Sequence, residues 1–243
     1  MKNLVYVGDS KGGVGKSLFS MVMTDYFRKS FPEDEILLVE TDSSNPDVAR
    51  LYDRTPGVSV DTQLLNEEEK GWITLVDTID ETKAKHVIIN SMAASNLGVR
   101  AQWSLFEQQI NSLNMHFNVF WIMNRNKDSV TLLRDFLSYV KVPTIYPVKN
   151  LYFGTQAEFL FYINSLDIQE AITERGGWSF DLPNLNDLIA DKLYTEEINF
   201  ESLPSKVSLG MRGSLHRWLQ TVRKPLDRIY SPSPHFVNGE HQG

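Results

Sequence analysis

The stretch Gly8-Asp9-Ser10-Lys11-Gly12-Gly13-Val14-Gly15-Lys16-Ser17 constrains this chain more than any other. It follows the apolar run Leu4-Val5-Tyr6-Val7, which reads as a buried strand, and it opens into Leu18 to Ser30, which reads as a helix. Strand, glycine loop, Lys-Ser and helix, in that order, form the context of a phosphate-binding loop. Glycines let the backbone curl so that several N–H groups point at one anion. The N-terminus of the following helix adds partial positive charge. Lys16 is then placed to reach β- and γ-phosphates, and the Ser17 hydroxyl to ligate Mg²⁺. A glycine turn that binds nothing accounts for neither the Lys-Ser pair nor the flanking elements.

The rest of the chain repeats the strand–helix alternation. Leu18, Met21, Val22, Tyr26 and Phe27 recur at helical spacing, and Pro32 ends that helix. Ile36-Leu37-Leu38-Val39 and His86-Val87-Ile88-Ile89-Asn90 are short continuous apolar runs, the mark of strands buried on both faces. Phe117 to Met123 reads as another strand, and Val142 to Val148 as a fifth. Pro143 and Pro147 predict that the fifth is short or at an edge. Helices are predicted to about Lys83 from Ile73, over Val99 to Leu113, from Ser129 to Val140 behind an Asp128 cap, over Ile168 to Glu174 and over Leu185 to Tyr194. Leu51 to Trp72 shows no regular pattern beyond a Pro56-Gly57 turn. Such alternation predicts an α/β fold, a three-layer sandwich around a mostly parallel sheet, with ligands at the carboxyl ends of the strands.

Composition narrows the function. The 243 residues suit one large domain, here residues 1–230, followed by a Pro- and Ser-containing tail, 231–243, expected to be disordered. There is no cysteine, which excludes disulfides, Cys-ligated zinc and iron–sulfur clusters. A net charge of −7 argues against a generally basic nucleic-acid binder. No signal peptide is evident and no apolar run approaches about 18 residues, so the expected location is cytoplasmic, without membrane attachment.

Lys11-Gly12-Gly13-Val14-Gly15-Lys16-Ser17 resembles the deviant Walker A motif, K-G-G-x-G-K-[ST], of the ParA/MinD superfamily of P-loop ATPases. The resemblance spans about residues 1–200 and implies a SIMIBI/ParA-like P-loop NTPase that takes ATP and Mg²⁺. It implies that Gly12, Gly13, Val14, Gly15, Lys16, Ser17 and Leu18 hold the nucleotide, and that Lys11 crosses a homodimer interface to the phosphates on the other subunit. Glu40-Thr41-Asp42 stands where the superfamily carries the D-x-D of switch I. By that likeness Asp42 helps to position Mg²⁺ and the attacking water, while Glu40 is a longer acid than usual. Asn90 stands where the Walker B aspartate belongs. An amide there brings no negative charge, which points to slow turnover and to an Asn90→Asp substitution that raises it unless the local loop has adapted to the amide. Ser91 to Ser95 occupies the switch II place. Asn124, after the fourth predicted strand, resembles the superfamily residue that hydrogen-bonds the base, and it suits a turn equally well. Val148 to Gly154 and Phe159 to Asn164, with the switch I element, are similar to plasmid StbB and TraL proteins, which are linked to plasmid stability and conjugative transfer.

The final predicted helix, about Gly213 to Tyr230, is different in charge. From Lys206 to Tyr230 six cations face Asp227 alone, beside an apolar stripe of Leu215, Trp218, Leu219 and Val222. The stripe predicts docking on the body. The basic face offers a contact to non-specific DNA or to an acidic partner. Two functions remain open: a slow ATP-dependent dimerising ATPase working with a DNA-binding adaptor protein, and a nucleotide-gated binding module with little turnover. A metabolic ligase or tyrosine-kinase relative lacks supporting motifs.

Overall fold

The structure is a computed structural model that describes residues 1–8, 12–41, 46–66, 68–92 and 96–231. The N-terminal apolar run forms β1 (Asn3–Gly8). Its alternating side chains explain why the run is unbroken: Leu4 and Tyr6 enter one core, Val5 and Val7 the other. A strand that must be apolar on both faces is a strand covered by helices on both faces.

The chain then runs through α1 (Lys16–Ser30), β2 (Ile36–Glu40), α2 (Asp47–Tyr52), β3 (Val58–Thr62), α3 (Glu69–Glu81), β4 (His86–Asn90) and α4 (Asn96–Ser112). It continues through β5 (His116–Met123), α5 (Lys127–Tyr139), β6 (Thr144–Asn150), α6 (Leu160–Ile163), α7 (Leu166–Glu174), β7 (Phe180–Leu182), α8 (Asp187–Thr195) and α9 (Leu209–Tyr230). Among the described residues the strands form one seven-stranded sheet in the order β3-β2-β4-β1-β5-β6-β7. Every pairing is parallel. One core lies between the sheet and α1, α2, α8 and α9, the other between the sheet and α3, α4, α5 and α7. The expected three-layer α/β architecture is therefore the observed one.

Two expectations are corrected. The predicted fifth strand is neither short nor at an edge: it is β6, seven residues long, paired with β5 on one side and β7 on the other. The β7 ladder begins only at Val148, one residue past Pro147, so the proline is not flanked by partners on both sides. The stretch from Leu51 to Trp72 is also more ordered than its sequence suggests, because it holds the end of α2, the start of α3 and the edge strand β3. Only Val58 of β3 is buried, so no continuous apolar run marks it.

α9 starts at Leu209, four residues earlier than predicted, with the Ser208 hydroxyl accepting from Met211 N–H. It docks as expected. Leu215, Trp218, Leu219, Val222 and Leu226 are buried, Trp218 Nε1 donates to the Pro183 carbonyl at 2.8 Å, and Arg223 pairs with buried Asp25 at 2.6 Å. No helix of the described residues is long and apolar enough to cross a membrane.

β4 and β5 flank β1, so the strand order reverses at its carboxyl end. In open parallel sheets the binding crevice opens at such a point. Val7 lies opposite Asn90, and Asn90 opposite Glu40, so β1, β4 and β2 end side by side at that crevice.

Candidate functional site

The loop from β1 enters α1 through two glycines with positive φ, Gly13 at 75° and Gly15 at 105°. A side chain at Gly15 would be strained by that φ, and its Cβ would meet Asn150 Nδ2 at 2.5 Å. Lys16 is the first residue of α1 and only 7% exposed. The first turn of α1 contains no acidic residue, so nothing there offsets the positive end of the helix.

Around this loop lies a pocket of about 400 Å³. Gly12, Gly13, Gly15, Lys16, Ser17 and Leu18 form its floor, and Asn90, Ser91, Asp47 and Tyr194 close it from β4, α2 and α8. A larger hollow of about 650 Å³ lies against α2 and β3. It borders neither a glycine loop nor the start of a helix of eight residues or more, so size alone does not mark the site. The smaller pocket fits a nucleotide polyphosphate by its chemistry: backbone donors at a helix N-terminus, a buried ammonium and two serine hydroxyls. Ser91 Oγ is buried at its wall with no hydrogen-bond partner among the described residues, which leaves a polar atom for a ligand to satisfy. Among the described residues no group of three or more His, Cys, Asp or Glu could hold a metal by itself. A Mg²⁺ here fits as a nucleotide-borne ion that borrows Ser17, since Mg²⁺ keeps much of its water and few protein ligands.

The loop is braced from below by a residue the sequence did not single out. Asn150, the last residue of β6 and buried, donates from Nδ2 to the Val14 carbonyl at 2.8 Å. Its Oδ1 accepts from Tyr152 N–H at 3.1 Å. The one signal in the sequence is position, a short polar side chain at the carboxyl end of a strand. Tyr194 carries no such signal. It reaches the pocket from the end of α8, and desolvation, with the Asp47 charge beside it, raises its phenol above the ordinary value.

Asn90 sits in a buried polar network. Its Nδ2 lies 3.0 Å from each oxygen of Glu40, and its Oδ1 accepts from Ser20 Oγ at 2.9 Å. Thr41 N–H and Oγ1 both donate to the Asn90 carbonyl at 3.1 Å, and Met92 N–H donates to Thr41 Oγ1 at 2.8 Å. This network shows what an Asn90→Asp substitution would meet: the amide is packed against an acid. A carboxylate at residue 90 would face the Glu40 carboxylate at hydrogen-bond distance, and two such charges cannot both ionise freely.

Of the sequence-predicted site residues, Gly12, Gly13, Gly15, Lys16, Ser17 and Leu18 share one pocket. Val14 is buried beneath it, held through its carbonyl. Asn124 is not part of the pocket lining. Its Oδ1 accepts from Asn126 N–H and Ser129 Oγ, both at 2.9 Å, and so shapes the turn into α5. Lys11, Asp42, residues 93–95 of the predicted switch II segment, and residues 232–243 of the tail lie outside the described residues.

No family model matches the chain. Protein MobD of Acidithiobacillus ferrooxidans is 33% identical over 229 residues, which span 94% of this chain and 98% of that protein. In fold the chain is similar to a candidate plasmid partition protein of Borrelia burgdorferi B31 bound to AMPPNP, with a TM-score of 0.56, 11% identity and coverage of 91% of this chain and 100% of that one. An McdA variant of Cyanothece in complex with ATP gives a TM-score of 0.56 at 10% identity, covering 93% and 96% of the two chains. The septum site-determining protein MinD of Pyrococcus horikoshii with Mg-ADP gives 0.53 at 12%, covering 96% and 100%. At these identities the likeness shows the fold, that of ParA/MinD-type P-loop NTPases.

Proposed function

The chain belongs to the family of protein MobD, and on that premise we propose that it is an ATP-dependent switch of the ParA/MinD type with slow ATPase activity. The observation that carries this is the single pocket in which buried Lys16, Ser17 and the positive-φ glycines surround the N-terminus of α1. Such a site works by positioning and by charge stabilisation more than by covalent chemistry. Gly12 to Leu18 cradle the phosphates through backbone N–H groups, and Lys16 neutralises charge at the β- and γ-oxygens. Ser17 takes part in holding Mg²⁺, whose chemical contribution is to neutralise charge developing on the transferred phosphoryl group. Asp42 orients the attacking water, and Lys11 reaches the phosphates of a second copy in the deviant Walker manner. Asn124 keeps its amide nitrogen for the base.

The cellular role we propose is plasmid stability, partition or conjugative transfer, in the manner of StbB and TraL proteins, with a DNA-binding adaptor as partner. α9 supports a DNA contact only in part. Arg223 is paired with Asp25, and Arg228 lies over the Trp178 ring at 4.6 Å, which leaves Arg212, Arg217 and Lys224 on the helix's exposed face, with Lys206 exposed just before it. A nucleotide-gated adaptor with little turnover is the second reading, favoured by the amide at Asn90.

Titration of a fluorescent ATP analogue with Mg²⁺ tests the pocket. Lys16→Ala is expected to weaken binding by at least about tenfold, the cost of one charge-assisted contact to phosphate. Equal affinity in both proteins refutes the assignment. Light scattering with a non-hydrolysable analogue tests assembly: nucleotide should double the wild-type mass and leave Lys11→Ala monomeric, and a mass unchanged by nucleotide refutes the trans lysine.

A further inference from the structure

We infer that the negative charge at the base of the nucleotide pocket is supplied by Glu40 on β2, and that Asn90 on β4 is the positioning residue that orients this carboxylate and meets the pocket in its place. The inference rests on the nucleotide-binding reading above and deepens it.

Glu40 and Asn90 are register partners at the ends of adjacent strands. Glu40 is fully buried and does not line the pocket, whereas Asn90 does. Both Glu40 oxygens stand 3.0 Å from Asn90 Nδ2. Both oxygens face the N–H₂ group of one amide, which donates to them, so the contact suits a carboxylate. The orientation of the amide is fixed by its neighbours: the opposite flip would aim its oxygen at the carboxylate and its N–H at the Ser20 hydroxyl. Donation to a carboxylate polarises the amide and makes Oδ1 a stronger acceptor. That oxygen, which already accepts from Ser20 Oγ at 2.9 Å, is the one available to water on a bound cation. Thr41 fastens the residue after Glu40 to the Asn90 carbonyl and to Met92 N–H, so the pair also sets where the segments leaving β2 and β4 begin.

Charge and amide are therefore exchangeable as a pair and not singly. Glu40→Gln removes the charge without adding another. Asn90→Asp places two carboxylates together. The double variant Glu40→Gln/Asn90→Asp restores one carboxylate facing one amide, with Ser20 still a donor to residue 90. The experiment measures affinity for a fluorescent ATP analogue in Mg²⁺ and in EDTA, together with thermal unfolding of the nucleotide-free proteins. Glu40→Gln is expected to keep its affinity in EDTA within about twofold, and to lose about tenfold of the gain that Mg²⁺ gives. Asn90→Asp is expected to unfold several degrees below wild type, roughly 3–8 °C. The double variant should recover both the unfolding temperature and most of the Mg²⁺-dependent gain. Rescue of the Mg²⁺ response is a readout that a purely structural network would not move. Should Asn90→Asp fail to fold, the double variant is compared with Glu40→Gln alone. An unchanged Mg²⁺ response in Glu40→Gln, or a double variant no better than the single, overturns the inference while wild-type binding that needs Lys16 leaves the nucleotide reading intact. A wild type that binds no nucleotide in either condition overturns both.

Discussion

Asn150→Ala isolates what holds the phosphate loop in shape. The substitution removes two hydrogen bonds, Nδ2 to the Val14 carbonyl at 2.8 Å and Tyr152 N–H to Oδ1 at 3.1 Å. Each neutral bond contributes about 1 kcal/mol net, and the buried Val14 carbonyl left without its donor raises the total to about 2–3 kcal/mol. For a domain of this size that corresponds to a fall in Tm of roughly 4–12 °C. Nucleotide affinity should fall too, by about three- to tenfold, because the loop must be ordered at the moment of binding instead of beforehand. Gly15→Ala supplies the internal check. Its Cβ would press on Asn150 Nδ2 at 2.5 Å while φ stays at 105°. In the Asn150→Ala background the collision disappears and only the backbone strain remains, about 1–2 kcal/mol. The two substitutions should therefore destabilise less together than the sum of their separate effects. Thermal unfolding and analogue titration on the four proteins measure this cycle. Asn150→Ala within about 0.5 kcal/mol of wild type and with unchanged affinity would refute the bracing role.

Two further outcomes follow from the packing. Arg223→Ala should cost about 1–3 kcal/mol, because Asp25 is almost fully buried and would keep, among the described residues, only the exposed Lys29 as its ion-pair partner; chemical denaturation measures it, and a change below about 0.5 kcal/mol would show that α9 docks without help from this ion pair. Stability should fall as pH drops below the ordinary histidine value of 6.5. Desolvation lowers both His86 and His116, with Asp34 beside His86 opposing in part, so the unfolded chain binds protons that the folded chain refuses. Tm measured from about pH 7.5 to 5.5 should fall more steeply for wild type than for His116→Gln, and a Tm that rises with acidity contradicts the sign.

What could be read from the residues alone was whatever the chain keeps local. The phosphate loop, its strand and its helix are consecutive, so ten residues carry backbone freedom, charge and flanking periodicity together. The apolar runs at β1, β2, β4 and β5 gave away a parallel sheet covered on both faces, since burial of every side chain leaves no polar alternation. β3 escaped because it lies at the edge with one buried residue, and β6 was misplaced because a proline restricts only the ladder bond that it would have made. The pairing of Glu40 with Asn90 behind the pocket was beyond reach for a different reason. The sequence showed an amide at residue 90 and an acid at residue 40 as separate departures in two different motifs. Across 50 residues of chain, strand register sets them face to face, with Ser20, 70 residues from Asn90, completing the set. The brace from Asn150 to Val14 spans 136 residues. Hydrogen bonds of this kind depend on which strand lies beside which, and only packing the helices on both faces of the sheet decides that.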